Sequence, residues 1–216
     1  MSGESMSDAE QCLASLHHYL PVVRGHLSPA WDLVRCWRRL EPPSRTPPWS
    51  RQLMRAISSL LLSYGKPTYG LAIMVGWDCA LRTGEMLSIK AIDCIFLRNA
   101  LHLHLGCTKT SYKDNRVDVV PVQDEKVIKL LRQWKLTVSD DTLLVDSCDA
   151  FRKLVKRAMV DLGVDGMNLA LYGIRRGAAT AIFEETNSYD AVQEKGRWLC
   201  QKSATIYINT CLRVRM

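Results

Sequence analysis

One stretch of this chain changes its hydrophobic period, and that change limits the folds open to it. Between Asp93 and Val122 three short β-prone runs replace the helical spacing found on either side. They are Cys94 to Leu97, Leu101 to Cys107 and Arg116 to Val120, broken by Arg98-Asn99 and by Tyr112 to Asn115. The pattern predicts a three-stranded antiparallel sheet that ends at Pro121. Helices are predicted before it, over Ser50 to Tyr64, Thr68 to Leu81 and Gly84 to Lys90. Others follow at Glu125 to Trp134, Ser147 to Leu162, Tyr172 to Thr186, Tyr189 to Lys195 and Ser203 to Arg213. The fold class is therefore α+β, mainly helical with one small three-stranded antiparallel sheet.

Upstream lie two further predicted helices. Ser7 with Glu10 reads as a capping box opening a helix through about Tyr19. Ser28-Pro29 opens a second through Leu40, with proline at the first helical position. Then comes Pro42-Pro43-Ser44-Arg45-Thr46-Pro47-Pro48, too rich in proline to be helical, and the domain boundary is placed there. Residues 1–45 and 46–216 are the two expected domains.

Length and composition fit one sizeable domain with a small appendage, at 216 residues with 47% apolar and 24% charged. A formal charge of +7 suits a polyanionic partner. The eight cysteines stand singly, without a C-x-x-C pair, which argues against zinc and against a secreted disulfide framework. No apolar stretch is long enough to span a bilayer, and the polar N-terminus is not a secretory signal. A soluble intracellular protein without a membrane partner is expected.

Chemistry gathers at a few positions. Arg82 follows an apolar helix in Ala80-Leu81-Arg82-Thr83-Gly84-Glu85, and Glu85 is spaced to pair with it on a helical turn. Lys109 sits where a hairpin turns. Arg175-Arg176 opens a helix whose Gly177-Ala178-Ala179 admits something bulky, either another helix or a phosphate backbone. Trp198 and Tyr207 come late, nine residues apart. Singly, each has a structural reading: a local salt bridge, a solvated lysine, a basic helix face, a core tyrosine. Jointly, two arginines, a lysine, a Trp donor and a tyrosine are the groups needed to attack a phosphodiester without a metal. No Asp/Glu/His cluster has metal-ligand spacing, so no metal and no cofactor are expected.

The order A-L-R-T-G-E, a hairpin lysine, R-R-G-A-A-T, G-R-W and a tyrosine nine residues after the tryptophan resembles the catalytic domain of tyrosine recombinases, the phage-integrase family. The resemblance covers roughly Pro48 to Leu212, and its wording is closest to recombinases of eukaryotic mobile elements. It implies site-specific DNA recombination or integration through a 3′-phosphotyrosyl intermediate. Tyr207 would be the nucleophile, Arg82 and Arg175 the clamps on the non-bridging oxygens, and Lys109 the acid for the departing 5′-oxygen. Trp198 stands where the family has His or Trp and would donate to the phosphate, while Glu85 would support Arg82. Double-stranded DNA is the implied partner, with a homo-oligomer (tetramer) assembled on it, and the nucleus is the implied location in a eukaryotic host.

Two departures from the family pattern stand out. Tyr172 occupies the position where the family usually has His, and Tyr is a poor general base at neutral pH. The segment before the linker is also shorter than the family's amino-terminal DNA clamp, with Leu33 to Leu40 resembling its last helix. These departures keep open a second reading, a catalytically impaired DNA-binding remnant of a mobile element. A third is a helical interaction domain in which the matching residues are coincidental.

Overall fold

The computed structural model describes residues 5–41, 46–98, 100–106 and 118–208. The chain divides into two compact units, Met1–Arg45 and Thr46–Met216. In the first unit, α1 (Met6–Tyr19) and α2 (Ser28–Leu40) flank a 3-10 turn at Pro21–His26. The capping box of α1 is not Ser7 with Glu10 but Ser5 with Asp8. Asp8 N–H donates to Ser5 Oγ (3.3 Å) and Ser5 N–H donates to Asp8 Oδ2 (3.0 Å). Glu10 is drawn away instead by Arg38 of α2, whose Nε donates to it at 2.8 Å. Val34 is the buried residue of these two helices.

The second unit carries the core. Helix α3 (Arg51–Ser63) is capped by Ser50, whose Oγ accepts from Leu53 N–H. It closes at Gly65, whose φ of 75° allows Lys66 N–H to reach back to Leu61. Helix α4 (Pro67–Asp78) is buried almost all round, as its uniform apolarity predicts. It crosses α3 closely at Gly70, where an added Cβ would lie 2.6 Å from the Ser58 carbonyl oxygen. The expected continuation of α4 to Leu81 does not form. Ala80 turns into the left-handed region (φ 46°), and Leu81 N–H folds back to Gly76 O. That break re-aims the chain, so that Arg82 starts the short α5 (Thr83–Leu87) with an extended backbone.

The sheet follows in the order β1 (Cys94–Phe96), β2 (Leu101–Leu105), β3 (Asp118–Val122), antiparallel throughout. Leu103 pairs with Cys94 on one side and Val120 on the other, which turns Leu101, Leu103, Leu105, Val120 and Val122 into the core. Pro121 does not end β3 but lies inside it, opposite His102. It is tolerated because β3 is an edge strand, with β2 as its one partner among the described residues. The first two residues of the expected run, Arg116 and Val117, lie outside the described residues.

Four further helices follow: α6 (Glu125–Lys135), α7 (Cys148–Asp161), α8 (Tyr172–Thr186) and α9 (Tyr189–Gly196). Helix α8 answers what Gly177 admits, because a Cβ there would fall on the Trp49 carbonyl and within 2.5 Å of the Trp77 ring. The bulky neighbour is the protein's own segment 46–50. Trp49 N–H donates to Gly173 O at 3.0 Å, and Arg176 donates to Thr46 O. The last described helix, α10 (Gln201–Thr205), ends earlier than expected. Tyr207 is therefore not on a helix but in the turn after it, its N–H bonded to Ala204 O.

Candidate active site

Helix breaks bring the candidate residues together. Glu85 is the centre, a carboxylate with only 8% of its side chain exposed. Its Oε1 accepts from Arg82 Nη1 at 2.6 Å, and its Oε2 accepts from the Arg82 backbone N–H at 2.8 Å. Oε2 also accepts from Arg197 Nη2 at 2.6 Å, while Arg175 Nη1 stands 3.9 Å away. Burial pushes the Glu85 carboxyl up, but Arg197 and the bonds from Arg82 outweigh it and hold it below its ordinary 4.5. A buried carboxylate is tolerable only with such partners. Three guanidiniums against one carboxylate leave the cluster two positive charges in excess.

Arg175 is 1% exposed, and its ion pair with Glu85 is a long one, 3.9 Å from Nη1 to Oε2. Its Nη1 donates to Ala80 O (2.7 Å) and its Nη2 to Gly196 O (2.5 Å). Both carbonyls border unusual backbone. Among the described residues four non-glycines have positive φ, namely Ala80, Asn168, Asn187 and Arg197. Asparagine adopts that region readily, whereas Ala and Arg pay about 1–2 kcal/mol each for it. The two costly positions are the ones beside Arg175. Such strain persists where surrounding contacts over-determine it, as at functional sites. Burial, with Arg197 and Arg82 nearby, lowers the Arg175 pKa, although the group stays charged at neutral pH.

Aromatic rings cover Arg175. The Trp198 ring lies 4.6 Å from its guanidinium carbon and the Tyr207 ring 5.7 Å, within cation–π range. Trp198 and Tyr207 pack on one another at 4.5 Å between centroids. Tyr172 Oη donates to Tyr207 Oη at 2.5 Å. Burial first, and then the Tyr207 hydroxyl, push the Tyr172 phenol far up, so Tyr172 keeps its proton as the donor.

Of the residues singled out from sequence, Arg82, Glu85, Tyr172, Arg175, Trp198 and Tyr207 converge here. Lys109 lies outside the described residues. Arg197, read only as the middle of G-R-W, is the one that sequence reasoning passed over. Its signal is an arginine directly after the glycine that ends α9, in a conformation where glycine is the economical choice. Beside the cluster a hollow of about 690 Å³ opens, lined by Arg82, Glu85, Lys90, Asp93 and His104 among others. No group of three or more metal-ligating side chains occurs among the described residues. None of the described helices is long and apolar enough to cross a membrane.

The sequence matches no protein-family model. No curated protein matches it either. Solved structures do resemble it. XerA recombinase aligns over 98% of this chain and 82% of its own, with a TM-score of 0.60 at 16% identity. XerH site-specific recombinase, bound to difH substrate in a pre-cleavage complex, aligns over 79% of this chain at a TM-score of 0.60 and 15% identity. A lambda integrase dimer bound to a COC′ core site aligns over the whole chain at a TM-score of 0.58 and 13% identity. The chain spans about half the length of the XerH chains it matches. At these identities the likeness is one of architecture: the fold is that shared by the Xer recombinase and lambda integrase structures.

Proposed function

We propose that this protein performs site-specific DNA recombination, cutting and rejoining strands through a 3′-phosphotyrosyl intermediate on Tyr207. The observation that carries the reading is the meeting of Arg82 and Arg175 at one buried carboxylate, with Tyr207 and Trp198 stacked on Arg175. A phosphodiester gains negative charge at the transition state, and preorganised guanidinium donors reward that gain without reorganising. The cluster's two excess positive charges match it. Each Arg175 terminal nitrogen spends one hydrogen on a carbonyl and keeps another for an incoming oxygen.

In this reading Tyr207 Oη gives up its proton to solvent water and attacks phosphorus, the bond from phosphorus to the 5′-oxygen breaks as the 3′-phosphate becomes esterified to Tyr207, and the 5′-oxygen departs with a proton from Lys109. Rejoining is the reverse, with a 5′-hydroxyl attacking and Tyr207 leaving. Because one phosphoester replaces another, no nucleotide is consumed. Tyr172 takes a role other than general base: its O–H donates to Tyr207 Oη, a bond that stabilises a forming phenolate. Access requires motion, since Arg175 is covered by Trp198 and Tyr207.

Nicked suicide duplexes of varied sequence test this. A covalent protein–DNA adduct on a denaturing gel is expected, lost in Tyr207→Phe. Duplex affinity should fall steeply with salt in both proteins, because phosphate contacts release counterions. Binding of every duplex without any adduct would leave a DNA-binding protein without turnover. An adduct that survives Tyr207→Phe would remove Tyr207 from the role.

A further inference from the structure

We infer that Arg197 is a positioning residue that keeps the charge of Arg175 available by occupying the carboxylate Arg175 would otherwise join. This rests on the strand-cleavage reading above and adds a residue to it. Glu85 Oε2 has two close donors, the Arg82 backbone N–H and Arg197 Nη2, and Arg175 Nη1 waits at 3.9 Å. With Oε2 saturated, Arg175 turns its fork to two neutral carbonyls, Ala80 O and Gly196 O. Hydrogen bonds to carbonyls orient a guanidinium without cancelling its charge, whereas a close carboxylate would neutralise it.

Arg197 is built for this place. Its side chain is 16% exposed, its Nη1 reaches Cys79 O at 3.4 Å, and its buried Nε has no hydrogen-bond partner among the described residues. Its backbone adopts φ 55°, a conformation that glycine would take at lower cost. A guanidinium held at a strained position beside another guanidinium is unfavourable unless the carboxylate between them needs both. Remove Arg197, and Arg175 closes onto Oε2.

Arg197→Gly removes the side chain and relaxes the backbone but also takes a close partner from the buried Glu85, so Arg197→Lys, which keeps a cation there, separates a loss of folding from a loss of positioning. Crystal structures of this variant should show Arg175 Nη1 within hydrogen-bonding distance of Glu85 Oε2. On nicked duplex at saturation, adduct formation should slow about 10- to 100-fold, the usual loss when a residue orienting a directly acting group is removed. The salt slope of duplex binding should stay unchanged, and Arg197→Lys, which keeps a charge at Glu85, should recover part of the rate. An Arg175–Glu85 separation that does not change in Arg197→Gly overturns the inference, whether or not the unaltered protein forms an adduct. So does a salt slope reduced by about one unit, which would make Arg197 a direct phosphate contact. Failure of the unaltered protein to form any adduct overturns the strand-cleavage reading alone, and the crystal structures still decide the role of Arg197.

Discussion

The two halves of the candidate site are held in different ways. The arginine half stands on the main core. Arg82 and Glu85 open α5, Arg175 lies in α8, and the helices behind them bury Tyr69, Ile73, Trp77, Met86 and Ile174. The tyrosine half rests on a satellite cluster of Ala179, Phe183, Val192, Ala204 and Ile208, and its helix α10 is five residues long. One half is a fixed electrostatic template, while the other is a short segment laid over it. On the proposed reading a phosphate must reach a covered arginine, and the asymmetry serves that, because local opening costs least where few apolar contacts are lost.

The comparison breaks most visibly at Glu85. Glu85→Gln leaves three guanidiniums facing a neutral amide, and loss of one partner in a buried ion network costs about 3–5 kcal/mol. In a domain this size that lowers Tm by roughly 6–20 °C, readable by calorimetry. A Tm within a degree or two of the unaltered protein would mean the cluster is not the rigid half. Gly177→Ala probes the same half from behind, forcing a methyl onto the Trp49 carbonyl and the Trp77 ring. Overpacking of this kind should cost about 2 kcal/mol, checked by urea denaturation.

The tyrosine half should respond differently. Ile208→Ala removes a buried side chain from the satellite cluster, yet should move the global Tm by less than about 2 °C, since the segment opens on its own. Hydrogen exchange over 204–208 should accelerate instead. A Tm loss as large as that of Glu85→Gln would erase the distinction between the halves. The smallest effect is in acid. The Glu85 carboxyl is held below its ordinary 4.5 when folded, so its contribution is complete above that value and fades as pH falls through the folded one. The stability gap between the unaltered protein and Glu85→Gln should therefore be widest above the ordinary carboxyl value of 4.5 and narrow as the pH falls below it. A constant gap would disconnect the network from ionisation of Glu85.

Much of the scaffold was legible in the chain because it follows from local rules. Uniform apolarity marks α4 as central, Ser50 and Gly65 delimit α3, and the change of period locates the sheet. The misreadings share a cause, which is that a tertiary contact outbid a local preference. Glu10 left its capping box for Arg38, Pro121 stayed in a strand because that strand is an edge, and Ala80 ended α4 without glycine. Arg82 and Glu85 could be paired from spacing alone, but the arrival of Arg197 from more than a hundred residues away could not.

By itself, then, the sequence determined the residue types, their order, the helix–sheet–helix plan and the excess of positive charge. Those rest on periodicity, capping and composition, which act within a few residues. Only the tertiary structure decided that one carboxylate gathers three arginines, that Arg175 gives its fork to carbonyls, and that Tyr207 lies past its helix, bonded to Tyr172. Burial is the reason. A charged network gains its energy and geometry from exclusion of water, and which groups lose water together is settled only when distant segments pack.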